Sequence, residues 1–360
     1  MIGAIIGDIV GSRFEFDNIK TKEFDFFTPE CRFTDDTVMT LAIAKSILEA
    51  DRDWDKLGGL AVKNMRELGR QYCYDEYGLS FREWLYSDDM GAYNSFGNGA
   101  AMRVSPCGYA ANSIEEAKLL SRIVTEVTHN HPEGIKGAEA VAVCVFLIRA
   151  AEGRDYIEHR NYIRKYVQKH YYSVKFDLHS IRASYDFDET CQNTVPQAIR
   201  AYLESGGFEG AVRNAVSIGG DSDTLAAITG SIAGAAYGVP IKIRKQALTF
   251  LDERLTNILL DFESVYTRFM PRCDFLIVPE VKVNGEDIIF TDVVFSRERR
   301  GYAIRMKFCG IEYEGWAYDG IRSAAYFLTK SMPPEVRQGA RLALDRIILI
   351  TMPKIYLGGL

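Results

Sequence analysis

The sequence predicts a mainly all-α protein followed by a small α+β module. Apolar residues recur at spacings of three and four through residues 1–268, β-like runs around a turn signal begin near residue 275, and the charge balance changes sign between the two parts. Residues 1–270 carry 30 basic and 38 acidic residues, net −8; residues 271–360 carry 13 and 11, net +2. Together these give the formal net charge of −6 over 360 residues. The expected division is a helical domain over 1–268 and an accessory module over 271–360, with no long Gly/Ser/Pro linker between them.

In chain order, the helical spacing covers Val38 to Ala50, Ile114 to Val127, Pro132 to Ala151, Asn161 to Tyr172, Val195 to Glu204 and Leu248 to Arg268. Asn112-Ser113 ahead of Glu115 and Glu116, and Pro132 with Glu133, supply start signals. In the tail, Phe275 to Val283 and Asp287 to Phe295 flank Asn284-Gly285, a hairpin signal. Tyr302 to Phe308 and Ile311 to Tyr318 form a second expected strand pair around Gly310; Ile321 to Ser331 and Pro334 to Ile348 read as helices. Two glycine ladders, Gly3/Gly7/Gly11 and Gly230/Gly234/Gly238, put small residues on one helix face each and predict close backbone packing.

Composition excludes several classes. The acidic balance argues against bulk nucleic-acid binding. No apolar run reaches the roughly 18 residues of a membrane span, and Asp8 interrupts the apolar N-terminus, which does not read as a signal peptide. The seven cysteines are scattered without a C-x-x-C pair, so a disulfide framework or zinc ribbon is not expected. A reduced, cytoplasmic protein is the expectation.

Two polar clusters carry the chemistry. Thr34-Asp35-Asp36-Thr37 opens one helix and Gly219-Gly220-Asp221-Ser222-Asp223-Thr224 opens another. Each reads on its own as a capped helix start, where carboxylates favour the positive end. Taken together they offer an all-oxygen donor set that suits Mg²⁺, Mn²⁺ or Ca²⁺ and suits zinc poorly. Converging carboxylates repel one another unless cations neutralise them. A D-x-D also begins the haloacid dehalogenase signature, but here Thr stands three positions on and Leu225 four. Phe96-Gly97-Asn98-Gly99-Ala100-Ala101-Met102-Arg103 is a glycine-rich turn that reads either as a tight turn or as a donor of backbone N–H groups to phosphate. Thr128-His129-Asn130-His131 offers ligands or caps, and Glu15 follows the first ladder.

In this order, Gly7-Asp8 with Gly11 and Glu15, Thr34-Asp35-Asp36, Gly97 to Arg103, Thr128-His129 and Gly220 to Thr224 resemble the ADP-ribosylglycohydrolases of the dinitrogenase-reductase-activating type, over about residues 1–262. The resemblance implies a compact orthogonal helix bundle and a site with two Mg²⁺ or Mn²⁺ ions that hydrolyses the bond joining ADP-ribose to a modified protein side chain or small molecule. It implies Thr34, Asp35, Asp36, Asp221, Asp223 and Thr224 as metal ligands. Glu15 is implied as the mobile acidic residue, with Asp35 and Asp36 also in the catalytic set. Phe96, Gly97, Asn98, Gly99, Ala100, Met102 and His129 are implied on the diphosphate and adenosine side. The tail departs from the family core and is expected to serve recognition, self-association or a protein partner. The alternatives are a non-catalytic ADP-ribose-binding or immunity-type protein, or a metal-dependent phosphohydrolase.

Overall fold

Ile2–Gly11 (α1) is buried along its whole length in the computed structural model of the chain. The structure describes residues 1–72, 77–151 and 156–267, the strands between 276 and 327, residue 309, and positions 334, 336 and 338. The chain divides into two compact units, Met1–Leu259 and Leu260–Leu360.

After α1 come α2 (Asp35–Ala50), α3 (Leu57–Gln71), α4 (Leu79–Tyr86), α5 (Gly99–Met102), α6 (Ser105–Ala110), α7 (Ile114–Glu126) and α8 (Pro132–Ala150). Then follow α9 (Tyr156–His170), α10 (Leu178–Arg182), α11 (Cys191–Leu203), α12 (Phe208–Val216), α13 (Ser222–Tyr237), α14 (Ile241–Leu248) and α15 (Glu253–Tyr266). Among the described residues no helix is long and apolar enough to cross a membrane. The stretch expected as one helix over 248–268 is broken: α14 ends at Leu248, and Asp252 Oδ1 accepts from the Leu255 N–H at 2.9 Å to start α15. The start signal before α7 works as read, with Ser113 Oγ accepting from Glu116 N–H at 3.0 Å.

The glycine ladders locate the core. α1 lies on α13 with no room for side chains: a Cβ on Gly3 would stand 2.2 Å from Gly230 O, on Gly7 1.9 Å from Ala226 O, and on Gly11 2.4 Å from Asp223 Cα. Gly230 is reciprocally placed, 2.1 Å from Gly3 O. Gly238, expected as a third rung, instead ends α13 with φ +67°. α8, α11 and α12 also pack on α13, and α2 packs on α1 and α3. This contact brings Asp8 of α1 beside the first turn of α13.

The second unit holds an antiparallel sheet of five strands in sequential order: β1 (Leu276–Val283), β2 (Glu286–Ser296), β3 (Gly301–Phe308), β4 (Ile311–Tyr318) and β5 (Ala325–Phe327). Val283 pairs with Glu286, so the expected Asn284-Gly285 turn lies between them, outside the described residues. The expected helix over 321–331 is corrected, because Ala325–Phe327 pairs with Gly315–Ala317 as the edge strand. Its short apolar run fits either period, and sheet pairing decides. In the expected helix 334–348, positions 334, 336 and 338 are helical and the remainder lies outside the described residues.

Candidate active site

The N-termini of α2 and α13 meet over α1, and five carboxylates converge there. Oxygens of Asp8, Asp36 and Asp223 form one set within 4.8 Å of one another; Glu15, Asp221 and Asp223 form a second, so Asp223 belongs to both. All but Glu15 are buried, and Glu15 is half-buried just after the short 3₁₀ turn Ser12–Phe14.

The backbone explains the aim of each group. Thr34 caps α2, with Oγ1 accepting weakly from Asp36 N–H at 3.4 Å, and donates to Asp8 Oδ1 at 2.7 Å. Asp8 Oδ2 also accepts from the N–H groups of Thr34 at 3.0 Å and Thr37 at 3.1 Å, and from the Thr37 hydroxyl. Asp8 is thereby lashed to the start of α2. Thr224 Oγ1 donates to Asp36 Oδ2 at 3.0 Å, tying α13 to α2. Asp221 stands at the N-cap position of α13, yet its side chain makes no capping bond. Its Oδ2 instead accepts from Asn98 Nδ2 at 2.6 Å, and that amide also donates to Thr194 Oγ1 at 3.2 Å.

Burial and mutual repulsion hold these carboxyls out of their ordinary range. Asp8 is pushed up to about 7 by burial and then by the charge of Asp223, against the opposing pull of its Thr34 and Thr37 bonds. Asp36 is raised well above the usual carboxylate range by burial and then by Asp223, Asp8, Asp35 and Asp221. Asp221 is raised in the same way, by burial and then Asp223, with Asn98 opposing. Asp36 Oδ1 is buried without a hydrogen-bond partner. An orphaned carboxylate oxygen among repelling carboxylates, with no His or Cys in either set, fits hard divalent cations.

The structure therefore brings Glu15, Asp36, Asp221 and Asp223 together, with Thr34 and Thr224 bonded to their carboxylates or to Asp8. Asp35 is half-buried at the edge and belongs to neither set of three. Asp8 stands in the first motif of the resemblance, but sequence reasoning gave it no role at the site. Its signal is a lone Asp inside a glycine-laddered apolar helix, since such a charge is almost never buried without a role.

The 97–103 segment takes the tight-turn alternative. The backbone N–H of Gly97 donates to Ser95 Oγ, that of Asn98 to Glu189 O, and those of Ala100, Ala101 and Met102 to carbonyls of Gly97 and Asn98. These donors are spent inside the protein, because α5 is a single tight turn bridged at Gly97 to Thr190. They do not form the open anion cradle that the glycines suggested. What faces the segment is the buried His129, whose Nε2 would lie 3.3 Å from a Cβ on Gly99 and 3.6 Å from one on Gly97. Buried Arg103 donates from Nη2 to Thr128 Oγ1 at 2.7 Å, and that hydroxyl lies 2.8 Å from His129 Nδ1. Arginine only donates, so the Thr128 hydroxyl accepts from Arg103 and links it to the His129 ring. Burial, then the Arg103 charge, holds His129 well below its ordinary pKa, hence neutral. His131 takes a structural place: Nδ1 accepts from Glu133 N–H at 3.1 Å and caps α8. Phe96 is 43% exposed, its ring 5.2 Å from that of His131.

The family model for ADP-ribosylglycohydrolase matches residues 1–269. The chain belongs to the ADP-ribosylglycohydrolase family. The match takes in the carboxylate site and leaves the five-stranded sheet outside. The chain is 25% identical to the ADP-ribosylhydrolase ARH3 of Homo sapiens over 317 residues, covering 66% of this chain and 84% of that protein. It is 28% identical to the ADP-ribosyl-[dinitrogen reductase] glycohydrolase of Rhodospirillum rubrum over 222 residues, covering 58% of this chain and 70% of that one. A solved ADP-ribosylglycohydrolase-related protein complex shares the fold, with a TM-score of 0.50 at 21% identity over 72% of this chain and 94% of that chain.

Proposed function

We propose that this ADP-ribosylglycohydrolase-family chain hydrolyses the N- or O-glycosidic bond joining ADP-ribose to a modified side chain or small molecule, and that it needs two Mg²⁺ or Mn²⁺ ions to do so. The observation that carries the reading is the pair of carboxylate sets sharing Asp223. Asp8, Asp36 and Asp223 would hold one ion and Glu15, Asp221 and Asp223 the other. Asp35 and the hydroxyls of Thr34 and Thr224 complete the surroundings. Bound there, the ions would supply Lewis-acid polarisation and would lower the pKa of a coordinated water.

The remaining work falls to the chain. Cleavage at the anomeric carbon develops oxocarbenium character, which a ring of carboxylates stabilises. Glu15 is the most accessible member and is assigned the proton: it accepts from water or delivers to the leaving group. Asn98 holds Asp221 in place by its 2.6 Å bond. On the diphosphate and adenosine side we assign Gly97, Gly99, Ala100 and Met102 as the close-approach wall. There His129 is a neutral imidazole facing Gly97 and Gly99, and Phe96 an exposed ring for the base. A neutral ring avoids setting a cation against the metal site.

The test is release of free ADP-ribose from a panel of linkage-defined arginine, serine, nucleobase and small-molecule conjugates, first with chelator and then with Mg²⁺ or Mn²⁺. Metal-dependent release from at least one conjugate is expected. Binding without release from every conjugate would favour the non-catalytic reading. Phosphate release from generic esters with no ADP-ribose release would favour a phosphohydrolase.

A further inference from the structure

The segment that carries Glu15 is fastened to the turn that carries Asp221, and the fastening is one side chain. Asn18 Oδ1 accepts from the Gly220 N–H at 2.6 Å. Its Nδ2 donates to Gly220 O at 2.9 Å, to Glu15 O at 2.9 Å and to Phe14 O at 2.7 Å. Lys20 adds a second tie, donating from Nζ to Ile218 O and to Tyr185 O, both at 2.6 Å. The turn is built to receive them. Gly219 and Gly220 both have positive φ, +71° and +76°. A Cβ on Gly219 would meet Lys20 Nζ at 2.6 Å and Asn18 Oδ1 at 2.8 Å, and one on Gly220 would meet Tyr185 Cε1 at 2.4 Å. The paired glycines therefore serve both the backbone path and the approach of the clamp.

We propose that Asn18 is a positioning residue that sets Glu15 against Asp221 and so builds the Glu15/Asp221/Asp223 cation position, without acting on the Asp8/Asp36/Asp223 position. This rests on the two-ion reading of the site. A carboxamide suits this join, because its oxygen accepts from the Gly220 N–H while its NH₂ donates to the Glu15 carbonyl. The other position takes its geometry elsewhere: Asp8 and Asp36 are held by Thr34, Thr37 and Thr224. The two cation positions thus have separate supports, and Asn18 touches one of them.

The experiment is Mn²⁺ titration of the full chain and of Asn18→Ala, read by calorimetry and by the spin resonance of free Mn²⁺, with no substrate present. Wild type is expected to take up two ions. In Asn18→Ala one step should weaken by about 10- to 100-fold, the usual loss when a ligand's outer support is removed. The other step should stay within about twofold. Asn18→Gln, which keeps the amide on a longer stem, reads the same two steps if the alanine variant does not fold. Two unchanged steps in a folded variant, or equal weakening of both, would overturn the clamp. Uptake of a single ion by wild type would overturn the two-ion reading and this inference with it, a result visible before any variant is made.

Discussion

Asp223 is the carboxylate common to both sets, so its loss should remove more than the loss of any other. Asp223→Asn keeps the shape and removes the charge; ADP-ribose release should fall by at least about a hundredfold, with both Mn²⁺ steps weakened. Release at the wild-type rate at limiting metal would refute the shared position. The pH behaviour of the metal-free chain follows from the raised carboxyls of Asp8, Asp36 and Asp221, and Asp8 shows the sign. Its carboxyl stands at about 7 when folded, against about 3.9 for an unfolded aspartate. Between these values the folded chain holds the extra proton, so stability is fully present below about pH 4 and is lost as pH rises towards 7. In chelator, the thermal midpoint should therefore be higher at pH 5 than at pH 8. Asp8→Asn should reduce that difference, leaving the share of Asp36 and Asp221, and Mg²⁺ should raise the wild-type midpoint more at pH 8 than at pH 5. An unchanged slope in Asp8→Asn would show that the charge of Asp8 is not what destabilises the metal-free site. At this scale the sequence made Glu15, Asp36, Asp221 and Asp223 legible through their motifs. It showed Asp8 in a motif but not its place in the set, which depends on what α1 packs against.

The contact of α1 with α13 is the element that delivers Asp8 to the site, and its glycines make a sharp prediction. Gly7→Ala places a methyl 1.9 Å from Ala226 O, a backbone atom that cannot rotate away. Unfolding in urea should show a loss of about 3 kcal/mol or more, the upper range for overpacking. The control is Gly59→Ala in α3, where the new methyl meets nothing within 4 Å. It should stabilise by about 0.5–1 kcal/mol, since alanine loses less backbone entropy than glycine in a helix. If both variants behave alike, the ladder is ordinary helix glycine and not a close-approach surface. The ladder spacing was readable as a packing face, but its partner was not. The glycine-rich 97–103 segment shows the opposite limit. Its residues fit a tight turn or a phosphate loop equally, and only the fold shows the N–H groups of Gly97, Asn98, Ala100, Ala101 and Met102 bonded inside the protein.

For the whole molecule, all five converging carboxylates, His129 and the Asn18 clamp lie within the first unit. A chain ending at residue 268 is therefore expected to fold and to keep metal-dependent ADP-ribose release on a small conjugate. Loss of activity on protein conjugates alone would assign the sheet to recognition. Loss of the small-conjugate activity in a folded truncation would mean that residues 269–360 complete the site. The helical class, the change near residue 270 and the first four strands were legible, because period and turn chemistry are local. The edge strand Ala325–Phe327 was not: three apolar residues fit either period until a neighbouring strand supplies the pairing.

The sequence by itself determined the chemistry on offer: an all-oxygen set at two helix starts and a glycine-faced first helix. The tertiary structure alone decided which oxygens share a position. Asp8, Asp36 and Asp223 are far apart in the chain, and they meet only because glycines let α1 and α13 touch backbone to backbone. Periodicity and capping act over a few residues, and so are written locally. The mutual repulsion of buried carboxylates acts through space and has no trace in the order of the residues.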